Sequence, residues 1–163
     1  MSRGYLLGVL ALASCDAPSV TSEPSAPRGS ASAAGATRPP LLVTAPRDLA
    51  DGRAFVREQA AAHEGRAVFV YVGATWCEPC VRFHDALARG ELDRELPNTL
   101  FVELDLDAHE PVLGPTDLAC DGKLVPRFAR AEPDGSCGPG RAEGAIKGDG
   151  AVGVILPRLK ALL

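Results

Sequence analysis

Aromatic residues are scarce in this chain: they make up 5% of its 163 residues, and Trp76 is the only tryptophan. Basic residues are in no surplus either. The formal net charge of −4 gives no electrostatic footprint for nucleic acid, so that partner class is excluded. A second C-x-x-C is also missing. Structural zinc held by four cysteines normally shows two such knuckles, whereas Cys120 and Cys137 each stand without an adjacent partner. No metal is therefore expected. The cysteines number five, Cys15, Cys77, Cys80, Cys120 and Cys137, and an odd count asks for one with a separate fate.

The N-terminal segment supplies that fate. Arg3 gives a positive start, and Tyr5 to Ala13 is an apolar run. It is too short to span a bilayer as a helix, which takes roughly 20 residues. The pattern predicts a signal peptide over 1–15. Its end, Leu12-Ala13-Ser14-Cys15, resembles the bacterial lipobox. That resemblance implies a lipid on Cys15 and a membrane-anchored lipoprotein facing the periplasm. Residues 16–40 are mostly Ala, Ser, Pro, Gly and Thr. So few large apolar side chains cannot build a core, so the stretch is expected to be a disordered tether.

Residues 41–163 hold the folded domain. A helix is expected over 51–63, stopped by Gly65. Ala67 to Val72 reads Ala-Val-Phe-Val-Tyr-Val, apolar throughout, as for a central strand covered on both faces. After a short loop, Cys77 begins a helix running to about Ala88. A helical turn is expected over 91–96, a strand over 99–106, a short helix over 116–119 and a strand over 125–131. Pro133-Asp134-Gly135 signals a turn, with a hairpin partner over 141–146. A last helix over 150–163 carries Pro157, which is expected to kink it. Strands joined by helices, then a hairpin and a helix, predict an α/β domain with helices flanking a mixed central sheet.

A cysteine at the start of a helix has a chemical consequence. The first helical N–H groups lack intrahelical partners and the dipole is positive there. A thiolate at Cys77 is thereby stabilised. Cys80 lies one turn along, within reach of a disulfide and set back from solvent. Cys77 is thus the expected nucleophile and Cys80 the resolving thiol. Pro79 falls in the first turn, where its missing N–H costs little. Glu78 opposes thiolate formation and is expected to tune it or to relay a proton. A purely structural bridge is disfavoured, because so short a ring removes little entropy from the unfolded chain.

Trp76-Cys77-Glu78-Pro79-Cys80 after a buried strand resembles the active site of the thioredoxin superfamily, over about residues 66–160. The Glu-Pro pair is similar to that of membrane-tethered thiol:disulfide interchange proteins of the cytochrome c maturation type. The resemblance implies a thioredoxin fold and a protein-disulfide oxidoreductase needing no cofactor beyond its own disulfide. Val125-Pro126 matches the family's cis proline, which would face Cys77 and expose the Val125 backbone to a substrate strand. Many thioredoxins have a buried carboxylate six residues before the first cysteine; here that position is Tyr71.

In an oxidising compartment, Cys120 and Cys137 are expected to form a structural disulfide. A second redox pair relaying electrons to Cys77 is the alternative. His84, one turn after Cys80, either tunes the thiols or sits on an exposed helix flank. His63 and His109 are expected in solvent, and Glu103, Asp105 and Asp107 on a solvated strand edge. The whole points to a reductase acting on protein disulfides outside the cytoplasm, fed by a membrane electron donor. Two alternatives stand beside it: a disulfide-forming oxidase, and a non-catalytic binding or metal-chaperone lipoprotein.

Overall fold

The computed structural model describes residues 37–163; the signal peptide, Cys15 and tether residues 16–36 lie outside the described residues. In chain order the elements are β1 (Leu41–Thr44), α1 (Gly52–Ala62), β2 (Ala67–Gly73), α2 (Glu78–Ala88), β3 (Thr99–Asp105), α3 (Glu110–Leu113), β4 (Arg127–Arg130), β5 (Ala142–Glu143) and α4 (Ala151–Lys160). They form a sheet in the order β1-β3-β2-β4-β5. β1 and β2 run parallel to β3, whereas β4 is antiparallel to β2 and β5 to β4. This mixed sheet with helices on both faces is the thioredoxin fold.

β2 explains the arrangement. Its alternating side chains are apolar on both sides, so it is stable only where both faces are covered. Phe69 and Tyr71 point to one layer with Phe83, Phe101, Phe128, Ile155 and Leu159, beneath α2 and α4. Val70 and Val72 point to the other, with Val56, Leu100, Val102, Leu104 and Leu118 beneath α1. Five of the few aromatic rings are spent in the first layer, where Tyr71 stacks on Phe128 at 4.7 Å and Phe83 meets Phe128 edge-on at 5.0 Å. Asp51 caps α1 by accepting the Ala54 N–H at 2.7 Å.

Several expectations are corrected. The sheet has an unforeseen strand, β1, and the body reaches back to Arg38, whose N–H donates to Asn98 Oδ1 at 2.9 Å. The helical turn expected over 91–96 is present, with the Leu96 N–H donating to the Leu92 carbonyl at 2.9 Å. The short helix forms earlier than expected, at Glu110–Leu113, because Pro111 suits a first turn while Gly114, before Pro115, is held extended (ψ 173°). β4 is shorter than the 125–131 expected; Pro126 has no N–H to donate, and past Arg130 only Ala131 bridges Cys137. The hairpin partner shrinks to Ala142–Glu143, since Gly144 takes a left-handed conformation (φ 64°) and turns the chain away. α4 runs through Pro157. That residue and Gly153, whose carbonyl loses its partner, both lie on the exposed face, where water can take the bond.

Candidate active site

β2 and β3 end side by side, with Gly73 in register with Asp105. The loops that follow therefore leave the same end of the sheet, at the carboxyl ends of parallel strands, where α/β proteins place their sites. Gly73 is needed there: a Cβ on it would stand 2.8 Å from the Tyr71 hydroxyl. Ala74 then turns the chain, its carbonyl accepting the Cys77 N–H at 3.0 Å.

Cys77 is the N-cap of α2 rather than its first residue. Its backbone is extended (φ −85°, ψ 100°), and its Sγ accepts the Cys80 N–H at 3.2 Å. Its carbonyl takes the Val81 N–H at 3.2 Å, starting the helix. The sulfur thus lies where the unpaired N–H groups of the first turn converge, as a developing thiolate requires. Cys77 and Cys80 are joined in a disulfide, their Cα atoms 5.2 Å apart. Both are covered, at 4% and 2% exposure, so the contrast expected between an open and a set-back cysteine is small in the oxidised form. Pro79 sits buried in the first turn.

Trp76 is 64% exposed beside the disulfide, and its Nε1 donates to Asp107 Oδ2 at 2.8 Å. A cleft of about 270 Å³ lies next to it, lined by Arg47, Thr75, Asp105, Asp107 and Ala108. Glu78 is partly exposed at the start of α2. Its Oε1 accepts the Gly148 N–H at 3.1 Å and lies 3.8 Å from Arg82. The peptide bond between Val125 and Pro126 is cis. Pro126 is buried, its carbonyl accepts the Gly144 N–H at 2.8 Å, and Val125 packs against both core layers. Leu124 and Ile146 are exposed large apolar residues of this loop and the one before α4.

Cys120 and Cys137 form a separate disulfide, with Cα atoms 5.4 Å apart, in the layer beneath α1. The buried Arg127 donates from Nη1 to the Cys120 carbonyl and lies 3.7 Å from Glu143. Burial, more than Glu143 can offset, lowers its pKa. Among the described residues, no three His, Cys, Asp or Glu side chains converge as a metal site would require.

The acidic residues of β3 are not on a solvated edge, because β1 covers that strand. Glu103 accepts the Thr44 hydroxyl at 2.9 Å, and its other oxygen lies 2.8 Å from His84 Nε2. Burial alone would raise its pKa, but His84 and Thr44 outweigh burial and hold it below the ordinary value. Asp105 Oδ1 accepts the N–H groups of Asp107 and Ala108, each at 3.0 Å. His109 is buried at 2% exposure, its Nδ1 accepting the Asp105 N–H and its Nε2 reaching the Pro46 carbonyl, both at 2.9 Å. It belongs to the scaffold and not to solvent. His63 is half-buried against the Gln59 carbonyl at the end of α1. The partnership of Trp76 with Asp107 had no signal in the sequence except that both follow parallel strands.

Tyr71 is wholly buried, edge-on to Phe83 and His84, and its hydroxyl has no hydrogen-bond partner. Burial, aided by the nearby Glu103 charge, pushes its pKa far up.

No family model and no curated protein matches the chain. It is similar to the solved structure of oxidised thioredoxin O1 from Arabidopsis thaliana, at 20% identity over 67% of this chain and 88% of that one, with a TM-score of 0.41. On its own strand order and on the place of its C-x-x-C, this chain is a thioredoxin-fold protein with a disulfide at the start of the helix that follows its central strand.

Proposed function

We propose that the protein is a thiol–disulfide oxidoreductase working through Cys77 and Cys80, and that it reduces protein disulfides outside the cytoplasm. One observation carries the reading. Cys77 Sγ is held at the N-cap of α2, accepting a first-turn N–H, with its disulfide partner one turn on. A sulfur so placed leaves as a stabilised thiolate when the bond is broken, and attacks as one when the pair is reduced. The exposed Trp76, Leu124 and Ile146 give the apolar surroundings that a protein substrate could bury.

In the reaction, the Cys77 thiolate attacks a substrate disulfide, a mixed disulfide forms, and one substrate thiolate leaves. Cys80 then attacks the Cys77 sulfur. The internal disulfide closes and the second substrate thiolate is released, two electrons having passed to the substrate. The chain supplies both sulfurs, so no bound cofactor is required. The lipobox-like ending at Cys15 supports a membrane anchor and with it a membrane donor that restores the dithiol.

Insulin-disulfide reduction by the full chain tests the activity. Turnover that disappears in Cys77→Ser is expected; turnover that survives it overturns the reading. Equilibration with glutathione fixes the direction. A potential near about −270 mV fits a reductase, and one near about −120 mV an oxidase.

A further inference from the structure

Tyr71 and Glu103 are register partners on adjacent parallel strands, and both side chains face α2. The Tyr71 position offers no carboxylate to the helix. The carboxylate stands one strand over, on Glu103, with one oxygen fixed by Thr44 and the other against His84. His84 in turn is four residues after Cys80 on α2, so the two side chains share a face of the helix, with Cβ atoms roughly 5–6 Å apart. The Tyr71 ring closes the space from below, edge-on to the imidazole at 5.6 Å between centroids.

Resting on the oxidoreductase reading, we propose that His84, backed by Glu103, is the proton acceptor for the Cys80 thiol. Cys80 needs one. It is buried, and burial in apolar surroundings disfavours a thiolate. Tyr71 cannot serve, because its hydroxyl is already protonated and burial holds it so.

The step begins with the mixed disulfide on Cys77. The Cys80 thiol gives its proton, through a bridging water, to the neutral His84 imidazole. The imidazolium so formed is stabilised by the Glu103 carboxylate. The Cys80 thiolate attacks Cys77 Sγ, the Cys77–Cys80 bond forms and the bond from Cys77 to substrate breaks. The substrate leaves as a thiolate and takes its proton from the imidazolium or from solvent. Glu103 is a positioning residue in this scheme: its oxygen lies 2.8 Å from the ring nitrogen and holds the ring in place. The other titratable groups around the pair are Asp105 on β3 and Asp85 on α2; Arg82 is occupied on the far flank by Glu78 and Asp149.

The test uses the reduced full chain and the chromogenic aromatic disulfide dithiobis-nitrobenzoate. With the Cys120–Cys137 bridge left bonded and Cys15 replaced by serine, Cys77 releases the first nitrothiolate and Cys80 the second, so two phases report the two sulfurs. In His84→Gln the second phase is expected to slow by about tenfold near neutral pH and its pH midpoint to rise by about one unit. Glu103→Gln, which keeps an acceptor for Thr44, should move the midpoint the same way by less. The first phase should keep its rate in both, which also certifies that the variants are folded. A second-phase pH profile that is unchanged in both variants overturns the proposal, as does an equal slowing of both phases. A wild-type chain that releases both nitrothiolates but does not reduce insulin overturns the functional reading, while the second phase still decides the proton acceptor.

Discussion

Trp76 and Asp107 are joined by a 2.8 Å hydrogen bond from the indole Nε1 to Oδ2, across 31 residues of sequence. An exposed indole would otherwise sample several rotamers. The bond fixes it at the rim of the disulfide, and it exists only because β2 and β3 release their loops at the same end of the sheet.

Asp107→Ala should therefore loosen the indole while leaving the fold intact. The bond is exposed, so the stability lost should be about 1 kcal/mol or less. Because Trp76 is the sole tryptophan, emission reports it directly. A change in emission with a melting temperature lowered by no more than a few degrees and several-fold slower insulin reduction is the expected result, from fluorescence, thermal denaturation and turnover on the same samples.

Cys80→Ser should trap substrate. The nucleophile at the N-cap is intact, but the mixed disulfide has no resolving thiol. Mass spectrometry of the variant after exposure to reduced-and-reoxidised insulin should find an adduct on Cys77, and none in Cys77→Ser.

Removing the second bridge, Cys120→Ser with Cys137→Ser, should cost about 3 kcal/mol, the chain-entropy value for a loop closing 17 residues. Denaturant titration measures this. Insulin reduction at a temperature where the variant is folded should be preserved, since this bridge lies in the layer beneath α1 and the redox pair in the layer beneath α2.

The Tyr71 hydroxyl is buried without a partner, so Tyr71→Phe should stabilise the protein by about 1 kcal/mol at neutral pH. Its raised pKa sets a sign at high pH. The folded state holds the phenolic proton more tightly than the unfolded state, so this contribution is full below about pH 10 and is lost as pH rises beyond it. The alkaline limb of the stability curve should flatten in the variant.

Glu103 acts at the opposite end. Its folded pKa is lowered, so its contribution is full above the unfolded value of about 4.3 and is lost as pH falls below it. Glu103→Gln should flatten the acid limb below about pH 4.5 in a pH series of denaturant midpoints.

The central strand and the reactive turn were legible because they depend on local features: an unbroken apolar run, then a cysteine opening a helix with Pro79 in its first turn. β1 was not. Leu41–Thr44 follows a proline-rich stretch and is a strand only because β3 offers it an edge. With β1 unseen, β3 looked like an edge, and Glu103 was assigned to solvent when Thr44 and His84 cover it. His109 misled for the same reason, since its partners include Pro46, 63 residues earlier. Pro157 shows the same dependence on packing: the cost of a proline in a helix depends on which face it occupies, and only packing places it on the exposed face.

The sheet's strand order carries a consequence for how the protein is made. Leu41 pairs with Leu100 and Ala67 with Thr99, and the other flank of β2 is taken by β4, later still. On a chain that emerges N terminus first, neither β1 nor β2 has a neighbour until β3 arrives. At roughly 5–20 residues per second the wait for Ala67–Gly73 is on the order of seconds. Throughout it, an uncharged run of β-branched and aromatic residues, Val68 to Val72, is bare. A polypeptide routed through a membrane unfolded meets the same interval again on the far side. β2 is thus the segment that a holding chaperone would have to cover, and its own later strands are what displace that cover.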